Sequence, residues 1–208
     1  MNQSDKFWDG VAEKYAKKPV PDEAVYQRKL SESQRYLSAD MDILEFGCGT
    51  GTTAIHHASH VRHIDALDIS EAMLAIGREK AKNAAVENIT FSRATLIEFK
   101  AETASLDAVL GLNVIHLIPD RRAVLDEVAR ILKPGGTFIS STGCLGNSYF
   151  RFIRFIAPIG KRLGLMPDVF VMTEQQWAQE ITAAGFTIQS QWHHGVQGID
   201  VFIIARKN

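Results

Sequence analysis

A short apolar run followed at once by alternating glycines constrains the fold of this chain more than any other stretch. Residues 42–53 read DILEFGCGTGTT, with glycines at Gly47, Gly49 and Gly51. A strand, a glycine-rich turn and a helix in succession bring backbone N–H groups close to a ligand. Glycine also lets a ligand approach, since no Cβ is in the way. The stretch therefore predicts a ligand-binding turn, with a tight turn that binds nothing as the alternative.

The chain around this turn alternates short apolar strands with amphipathic helices. Strands are predicted at DILEF, HIDALD, ITFSR, SLDAVLGL and GTFISST, and helices at GTTAIHHAS, SEAMLAIGREKAKNAA and DRRAVLDEVARIL. This alternation is typical of right-handed parallel βαβ units with helices on both faces of the sheet. Two more helices are predicted within residues 1–40, and a further helix, TEQQWAQEITAAGF, is predicted with Thr173 as its N-terminal cap. The last two strands, TIQSQWHHG and IDVFIIARKN, are joined too tightly for a crossover, which predicts an antiparallel pair.

Two local signals set helix limits. Ser70, followed by Glu71, is predicted to cap the N-terminus of the long helix that follows the second strand. The run Lys133-Pro134-Gly135-Gly136 is predicted to end a later helix, because proline disfavours helix before it and glycine allows the reversal.

Length and composition set the broad class. With 208 residues, 46% of them hydrophobic, the chain is expected to form a single domain over residues 1–208. The net charge of −1 shows no basic excess that would indicate a nucleic-acid partner. The polar N-terminus, the absence of a long apolar run and the two widely separated cysteines, Cys48 and Cys144, predict a cytoplasmic protein.

Two ligand classes compete for the glycine turn, a dinucleotide and S-adenosylmethionine. The dinucleotide fingerprint places its third glycine three positions after the second, whereas here Gly51 comes two positions after Gly49. Glu45 stands in the strand just before the turn. Asp68 ends the second strand, where a carboxylate can accept hydrogen bonds from both ribose hydroxyls, although NAD sites use the same device. An NAD-dependent oxidoreductase therefore remains an alternative.

Four motifs in order resemble those of the class I S-adenosylmethionine-dependent methyltransferases. They are ILEFGCGTG, ALDIS with Met73 after it, LDAVLGLNVIHLIPD, and ILKPGGTF. The resemblance covers roughly residues 7–205 and is strongest to the small-molecule enzymes related to quinone-biosynthesis methyltransferases. It implies an α/β fold with a Rossmann-like, seven-stranded, mostly parallel sheet ordered 3-2-1-4-5-7-6, in which strand 7 is antiparallel.

The resemblance also implies a cofactor site. It places the methionine part of S-adenosylmethionine at the glycine turn, the ribose hydroxyls on Asp68 and the adenine beside Ile69 and Met73. An N-terminal helix, WDGVAEKY, contributes Tyr15 toward the cofactor carboxylate, with plain packing on the core as the alternative. The full set of expected cofactor-binding residues is Tyr15, Glu45, Gly47, Cys48, Gly49, Gly51, Asp68, Ile69, Met73, Ala94, Thr95, Asn113 and Val114.

The chain departs from the family at one point. The family commonly carries an acid after strand 3 that bonds the adenine amino group, but this chain has Arg93 and Ala94 there. Backbone groups of Ala94 and Thr95 are the expected substitutes. A protein that binds S-adenosylmethionine or S-adenosylhomocysteine without catalysis is the alternative that this departure favours.

Histidines are the candidates for acid–base work. His116, in NVIHLIPD, follows the fourth strand at the carboxyl edge of the sheet, where ligands of open α/β folds bind, so it is the predicted general base. A structural role in the turn is the alternative, and His193 and His194 are further candidates. The cluster HHASHVRH has no tidy ligand geometry, so no metal is predicted.

The acceptor is predicted to be a small molecule. The chain has Asn113-Val114-Ile115-His116 where enzymes that methylate adenine or glutamine amino groups usually carry N-P-P-[YF], and it shows no basic face for DNA. The insert at residues 145–172 is predicted to cover the site and to favour an apolar or anionic acceptor. Packing on the core and contact with a membrane through residues 149–165 are the alternatives. The insert mixes apolar and basic side chains, namely Phe150, Phe152, Ile153, Phe155, Ile156, Ile159 and Leu163 with Arg151, Arg154, Lys161 and Arg162.

Overall fold

A computed structural model of the chain describes residues 3–162, 166–195 and 199–208. The strands are β1 (Asp42–Phe46), β2 (His63–Asp68), β3 (Ile89–Arg93), β4 (Leu106–Leu112), β5 (Leu132–Gly143), β6 (Phe186–His194) and β7 (Asp200–Lys207). The helices are α1 (Gln3–Ala16), α2 (Glu23–Gln34), α3 (Thr52–His57), α4 (Glu71–Asn83), α5 (Leu96–Phe99), α6 (Arg121–Ile131), α7 (Ile153–Arg162) and α8 (Glu174–Ala183).

The strands form one sheet with the order β3-β2-β1-β4-β5-β7-β6. Strands β1 to β5 pair in parallel, and β7 runs antiparallel to both β5 and β6. The predicted fold class, strand order and antiparallel last strand are therefore confirmed. Because all the parallel strands point the same way, the turns after β1, β2 and β4 meet at one carboxyl edge.

Both faces of the sheet are covered, because successive side chains of a strand point to opposite sides. On one face, Leu44 of β1 joins a buried cluster with Val124 of α6 and Trp177 of α8. On the other face, Ile43 joins a second cluster that includes α3 and α4. Apolar burial on two sides fixes β1 in the centre of the sheet, and with it the glycine turn that follows.

The predicted helix caps are present. Ser70 Oγ accepts from the N–H of Met73 at the start of α4. Thr173 and Gln176 form a reciprocal capping box at the start of α8. Helix α2, which the sequence placed only approximately, begins after Asp22, whose side chain accepts from the N–H of Val25. Each cap satisfies N–H groups that have no partner inside the helix.

Strand β5 is longer than predicted. The expected helix end is confirmed, since α6 stops at Ile131, but β5 begins directly at Leu132 instead of Gly136. The register between β4 and β5 shifts near the start of the pair. A register irregularity accommodates Pro134, which has no N–H to donate to the ladder. Local sequence showed the proline and glycines as a stop, whereas pairing with β4 continues the strand through them.

The insert between β5 and α8 is closed at its ends. The N–H of Gly146 donates to the carbonyl of Met172 at 2.8 Å, so the segment leaves and rejoins the fold at one point. Helix α7 buries Ala157 on one side and exposes Phe155 and Ile156, at 61% and 60%. Leu163 lies outside the described residues, as do the side chains of Phe150, Arg154, Ile159 and Lys161.

Candidate active site

The glycine turn after β1 is shaped from behind by apolar side chains. A Cβ on Gly47, whose φ is +65°, would lie 2.4 Å from Val114 Cγ2, and one on Gly51 would lie 2.6 Å from Phe91 Cε1. A Cβ on Gly49, at φ +54°, would instead have Tyr15 Cε1 at 3.9 Å as its nearest neighbour. Two of the glycines are thus needed for close packing inside the fold, and Gly49 is the one that fronts open space.

Asp68 connects the turns after β1 and β2. Its Oδ2 accepts from the N–H of Gly49 at 2.8 Å and its Oδ1 from the N–H of Ser70 at 2.9 Å. Burial raises the pKa of Asp68, while these backbone donors act in the opposite direction. Asp68 is therefore a fixed link between two turns, and its carboxylate oxygens can each accept a further hydrogen bond.

Glu45 is a buried carboxylate at the end of β1. The residue is 3% exposed, and its Oε2 has no hydrogen-bond partner within the described part of the chain. Burial, and after it the charge of Asp68, raise the pKa of Glu45 from 4.5 to about 8. A buried polar group without a partner is costly. A donor from a ligand, above all a cation, would supply the missing partner.

Helix α1 brings Tyr15 to the turn, where it is 48% exposed. Asp9 holds this helix in place, because its Oδ1 accepts from Ser70 Oγ at 2.6 Å and from the N–H of Ala72 at 3.1 Å. The Ser70 hydrogen bond is the main cause that lowers the pKa of Asp9. The side chain that positions Tyr15 is thus an ionised carboxylate at the N-terminus of α4, where negative charge is favourable.

The segment after β3 is occupied by contacts within the fold. Arg93 donates through Nε to the carbonyl of Ile69 at 3.0 Å and through Nη2 to Asp5 at 3.3 Å, so it joins α1 to the turn after β2. The N–H of Ala94 donates to the carbonyl of Asp68, and the N–H of Thr95 donates to Glu98 Oε2. The N–H groups of Ala94 and Thr95 are therefore already used inside the fold.

Met73, the other residue expected beside adenine, lies in the first turn of α4 and is 2% exposed. Cys48, within the turn, is also buried, and its N–H donates to the carbonyl of Leu67 at 2.9 Å. Burial is the main cause that raises the pKa of the Cys48 thiol, so it is neutral. Both residues contribute apolar surface and packing at the site.

Asn113 and Val114 follow β4 on the other side of the turn. Asn113 has φ +58°, a left-handed conformation that asparagine tolerates better than most residues. Its N–H donates to the carbonyl of Ser141 on β5 at 2.7 Å, which holds the turn against the neighbouring strand. Val114 packs behind Gly47. The two residues thus connect the glycine turn to strand β5.

His116 lies in a single 3-10 turn, Ile115–Leu117, two residues further along. Its Nδ1 is 3.2 Å from Thr142 Oγ1 on β5, and its carbonyl accepts from the N–H of Phe170 at 2.8 Å. Burial lowers the pKa of His116, so the ring is neutral at pH 7. A neutral imidazole at the carboxyl edge, tied to the end of the insert, is able to accept a proton.

The other histidines divide by their surroundings. His193 is exposed, and its Nε2 lies 2.6 Å from Glu174 on α8, away from the turn. His194 is half-buried, with Nε2 3.3 Å from Ser141 Oγ. His57 is buried with no hydrogen-bond partner on either ring nitrogen among the described residues, and burial lowers its pKa to about 4.

His57 borders a small cavity of about 40 Å³ beside the turn after β4. A cavity of this size has room for roughly one or two water molecules. Its lining is Tyr26, Lys29, Leu30, Ser33, Thr53, His57, Leu112 and Asn113. Helix α2 contributes four of these residues, which the charged pattern of that helix does not indicate.

Lys29 also lies at the carboxyl edge of the sheet, and the sequence pattern does not predict this position. It projects from α2 and donates through Nζ to Ser141 Oγ at 2.9 Å, a contact between residues 112 positions apart. Only the packing of α2 over β4 and β5 creates this contact, so no local signal exists for it.

Within residues 3–162, 166–195 and 199–208, no group of three or more His, Cys, Asp or Glu side chains is arranged to hold a metal ion. In the same ranges, no helix is both long and apolar enough to span a bilayer.

Comparison with known proteins now identifies the family. Residues 43–136 match a family described as "Methyltransferase domain". A demethylmenaquinone methyltransferase from Shouchella clausii is 31% identical over 172 residues, covering 76% of this chain and 69% of that protein. The chain belongs to the class I S-adenosylmethionine-dependent methyltransferases. The family that the sequence motifs suggested is thereby confirmed, as is the similarity to quinone-biosynthesis methyltransferases.

Two other proteins are similar to this chain, one over a smaller share of its length and one at lower sequence identity. A demethylmenaquinone methyltransferase from Listeria welshimeri is 32% identical over 124 residues, covering 54% of this chain and 52% of that protein. The chain therefore spans about half the length of such relatives. The crystal structure of geranyl diphosphate C-methyltransferase from Streptomyces coelicolor matches with a TM-score of 0.72 at 14% identity, over 89% of this chain and 79% of that one. This second similarity supports the methyltransferase fold alone.

Proposed function

We propose that this chain binds S-adenosylmethionine at the glycine turn and transfers its methyl group to a small-molecule acceptor. The observation that carries the proposal is the buried carboxyl group of Glu45, whose Oε2 has no hydrogen-bond partner among the described residues and lies beside an open turn. The ammonium group of a methionine-type ligand would donate a hydrogen bond to this oxygen and would favour the ionised form of Glu45.

The other residues of the turn fit the same ligand. Asp68 is fixed by two backbone N–H groups and has oxygen lone pairs left for the two ribose hydroxyls. Gly49 leaves room in front of its backbone, and Tyr15 stands at the edge of that space. Ile69, Met73, Ala94 and Thr95 are assigned to the adenine side, through apolar surface and carbonyl groups.

A dinucleotide fits these residues less well. The pyrophosphate of NAD carries negative charge, and the turn is flanked by two carboxyl groups, Glu45 and Asp68. The negative pyrophosphate would be repelled by the Asp68 carboxylate and would keep Glu45 protonated, whereas a cation is attracted to Asp68 and favours the ionised form of Glu45. These two carboxyl groups thus support a cofactor with a cationic end, and the oxidoreductase alternative is set aside.

When bound, S-adenosylmethionine supplies a methyl group on a sulfonium, from which a nucleophile can take it. The protein then has to position the acceptor, exclude water and accept a proton if the nucleophile carries one. We assign positioning to Asn113 and Val114, because they border the glycine turn on the side away from Asp68. We assign proton acceptance to His116, whose ring is neutral at pH 7.

The insert supports an apolar acceptor. Its exposed aromatic surface comprises Tyr149, Phe152 and Phe155, with the Arg151 guanidinium 5.0 Å from the centre of the Phe152 ring. The named activity of the demethylmenaquinone methyltransferase relatives also favours an aromatic acceptor. We propose that this surface guides such an acceptor to the site. Sedimentation of the protein with phospholipid vesicles tests whether residues 149–165 also contact a membrane.

We further propose that residues 1–208 act as one domain in a reducing, cytoplasmic setting and without a DNA partner. Both cysteines are free and buried, which supports that setting.

Calorimetric titration with S-adenosylmethionine, S-adenosylhomocysteine and NAD tests the cofactor assignment. We expect binding of the two sulfur compounds in the micromolar range and none of NAD. An acceptor screen with apolar phenols, quinols and aromatic carboxylates, read by formation of S-adenosylhomocysteine, tests methyl transfer. Binding of NAD alone would overturn the proposal.

A second candidate is binding without catalysis. The specific observation in its favour is Arg93, which occupies the position of the adenine-binding acid and is engaged with Ile69 and Asp5. The acceptor screen separates the two candidates. Tight binding of S-adenosylhomocysteine with no methyl transfer to any acceptor in the panel would favour this second reading.

The assignment of His116 makes a separate prediction. In His116→Gln, we expect the methyl-transfer rate to fall about a hundredfold or more, because general-base catalysis contributes at least that much. The affinity for S-adenosylhomocysteine should stay within about threefold, since His116 is assigned to the acceptor side. The exposed variant His193→Gln serves as the matched control. An unchanged rate in His116→Gln would leave His116 with a structural role in its turn.

A further inference from the structure

A polar cluster lies on the acceptor side of the glycine turn, and four distant segments build it. Ser141 of β5 is at its centre. Its Oγ accepts from Lys29 Nζ at 2.9 Å, lies 3.3 Å from Asn113 Oδ1, and lies 3.3 Å from His194 Nε2. Asn113 also borders the small cavity beneath α2. The cluster therefore joins the turn after β4 to the ends of β5 and β6.

Lys29 is a half-buried cation without a charged partner at contact distance. Among the described residues no carboxylate oxygen lies within 4 Å of its Nζ, and its hydrogen bond goes to a neutral hydroxyl. Burial lowers the pKa of Lys29 to about 8, and Asp200 offsets this effect only in part. An ammonium group has three N–H donors, so Lys29 retains donor capacity for an anion.

His194 and Asp200 are the titratable groups that interact electrostatically with Lys29. Burial, and after it the charge of Lys29, lower the pKa of His194 to about 4, so His194 is neutral at pH 7. Asp200 is the acid of the region, and burial raises its pKa. Lys29 is thus a half-buried positive charge bonded to a hydroxyl that also contacts an amide and an imidazole, with Asp200 as an acidic neighbour beyond contact distance.

From this arrangement we infer that Lys29, with Ser141 and His194, forms a binding site for a deprotonated oxygen of the acceptor, a carboxylate or a phenolate. The inference rests on the proposed methyl transfer for the identity of the ligand as acceptor. It adds the chemical class of the group that is recognised. Charge-assisted hydrogen bonds from a partly desolvated ammonium are among the stronger polar contacts in proteins.

The site also gives Lys29 a role in acceptor choice. A neutral compound of the same shape would leave the ammonium without its anion and would forfeit this contact. The exposed aromatic residues of the insert supply apolar contact that does not depend on charge. An aromatic anion satisfies both features, whereas an aromatic amide satisfies only one.

Paired ligands test the carboxylate arm. The protein, loaded with S-adenosylhomocysteine, is titrated calorimetrically at pH 7 with 2-naphthoate and with its neutral counterpart 2-naphthamide. We expect tighter binding of 2-naphthoate, and in Lys29→Met a loss of about ten- to a hundredfold for 2-naphthoate only. Lys29→Arg keeps the charge and should stay within about fivefold of wild type, which separates loss of charge from loss of structure. Lys82→Met, an exposed lysine of α4, is the control.

A chromogenic ligand tests the phenolate arm. Binding of 4-nitrophenol as its anion raises the absorbance of the phenolate at a fixed pH near neutrality. We expect this rise with wild type and with Lys29→Arg, and its loss with Lys29→Met. A response to 2-naphthoate without one to 4-nitrophenol assigns the site to carboxylates, and the reverse assigns it to phenolates.

Two results would overturn the inference. One is equal affinity of wild type for 2-naphthoate and 2-naphthamide together with no phenolate response. The other is equal binding of the anions by wild type and Lys29→Met. Failure of the proposed function shows itself differently, as absence of S-adenosylhomocysteine binding. Titration of the free protein with the same anions then decides the Lys29 site by itself.

Discussion

The two sides of the site are built in different ways. On the cofactor side, Glu45, Gly49 and Asp68 lie within 24 residues of one another, and backbone N–H groups hold Asp68 in place. On the acceptor side, Lys29 and Ser141 are 112 positions apart and meet through side chains. The cofactor side carries two acids, while the acceptor side carries a half-buried cation.

Because of this difference, we expect the two sides to respond differently to substitutions. A site fixed by backbone hydrogen bonds in adjacent turns depends on the conformation of those turns. A site fixed by side chains from separate elements depends on how the helices pack over the sheet edge. Val114 lies between the two sides and packs behind Gly47. A change that displaces Val114 is therefore expected to disturb both sides of the site.

The largest expected effect is a loss of stability from a substitution at Gly47, where the glycine turn packs against Val114. Gly47→Ala should destabilise the protein by about 2–4 kcal/mol, because alanine is strained at φ +65° and its Cβ would meet Val114 Cγ2 at 2.4 Å. Urea unfolding measures the free energy of unfolding. Gly49→Ala, with the same strain but no close contact, should lose less, about 1–2 kcal/mol.

Gly10 in the middle of α1 supplies the opposite control. A Cβ there has nothing within 4 Å, so Gly10→Ala should raise the free energy of unfolding by about 0.5–1 kcal/mol. If Gly47→Ala and Gly49→Ala lose the same amount, the contact with Val114 does not constrain the turn.

The next largest effect is a loss of cofactor affinity that leaves the acceptor side unchanged. Asp68→Asn should weaken binding of S-adenosylmethionine about a hundredfold, because two hydrogen bonds to a charged acceptor are lost or weakened. Binding of 2-naphthoate near Lys29 should be unchanged. Calorimetry measures both affinities. Asp65→Asn, on the same strand, is the control, and wild-type affinity in Asp68→Asn would remove Asp68 from the ribose site.

The third effect concerns protons at Glu45. Its pKa is about 8 in the folded free protein and 4.5 as the ordinary value. Between these values the folded state holds a proton that the unfolded chain has lost, so this contribution to stability is complete below pH 4.5 and is lost as pH rises toward 8. Wild type should therefore lose more stability between pH 6 and pH 8 than Glu45→Gln, as measured by urea unfolding.

Cofactor binding supplies a second readout for Glu45. An ammonium group favours the ionised carboxylate, so binding of S-adenosylmethionine at pH 7 should release up to about one proton. Calorimetry in buffers of different ionisation enthalpy measures this release. Glu45→Gln should release less and bind about tenfold more weakly. Equal proton release by the two proteins would contradict the pairing of Glu45 with the cofactor ammonium.

Much of the fold was predictable because its signals are local. Strands β1, β2 and β3 have the limits that their apolar runs predict, and Ser70 and Thr173 cap the helices as expected. The antiparallel end of the sheet followed from a connection too short for a crossover. The early start of β5 was missed, because pairing with β4 overrides the local tendency of proline and glycine to end a segment.

The candidate site was predictable only in part for the same reason. The glycine turn, Glu45 and Asp68 are adjacent to strand ends, and parallel strands bring such ends to one edge. The use of the Ala94 and Thr95 N–H groups inside the fold was not predictable, since it depends on the carbonyl of Asp68 and on the Glu98 side chain. The separate tasks of Gly47 and Gly49 likewise depend on Val114 and Tyr15.

The order of elements and the family could be predicted from the sequence alone, and the sequence also supplied the candidate residues of the cofactor side. Periodic burial, caps and turn residues act over a few positions, so they can be read along the chain. Three properties are visible only in the folded protein: the hydrogen bond of Lys29, the lack of a partner for Glu45 Oε2 among the described residues, and the place of His116 beside Thr142. These properties arise from desolvation and from contacts between distant segments, which exist only once α2 and the insert have packed against the edge of the sheet.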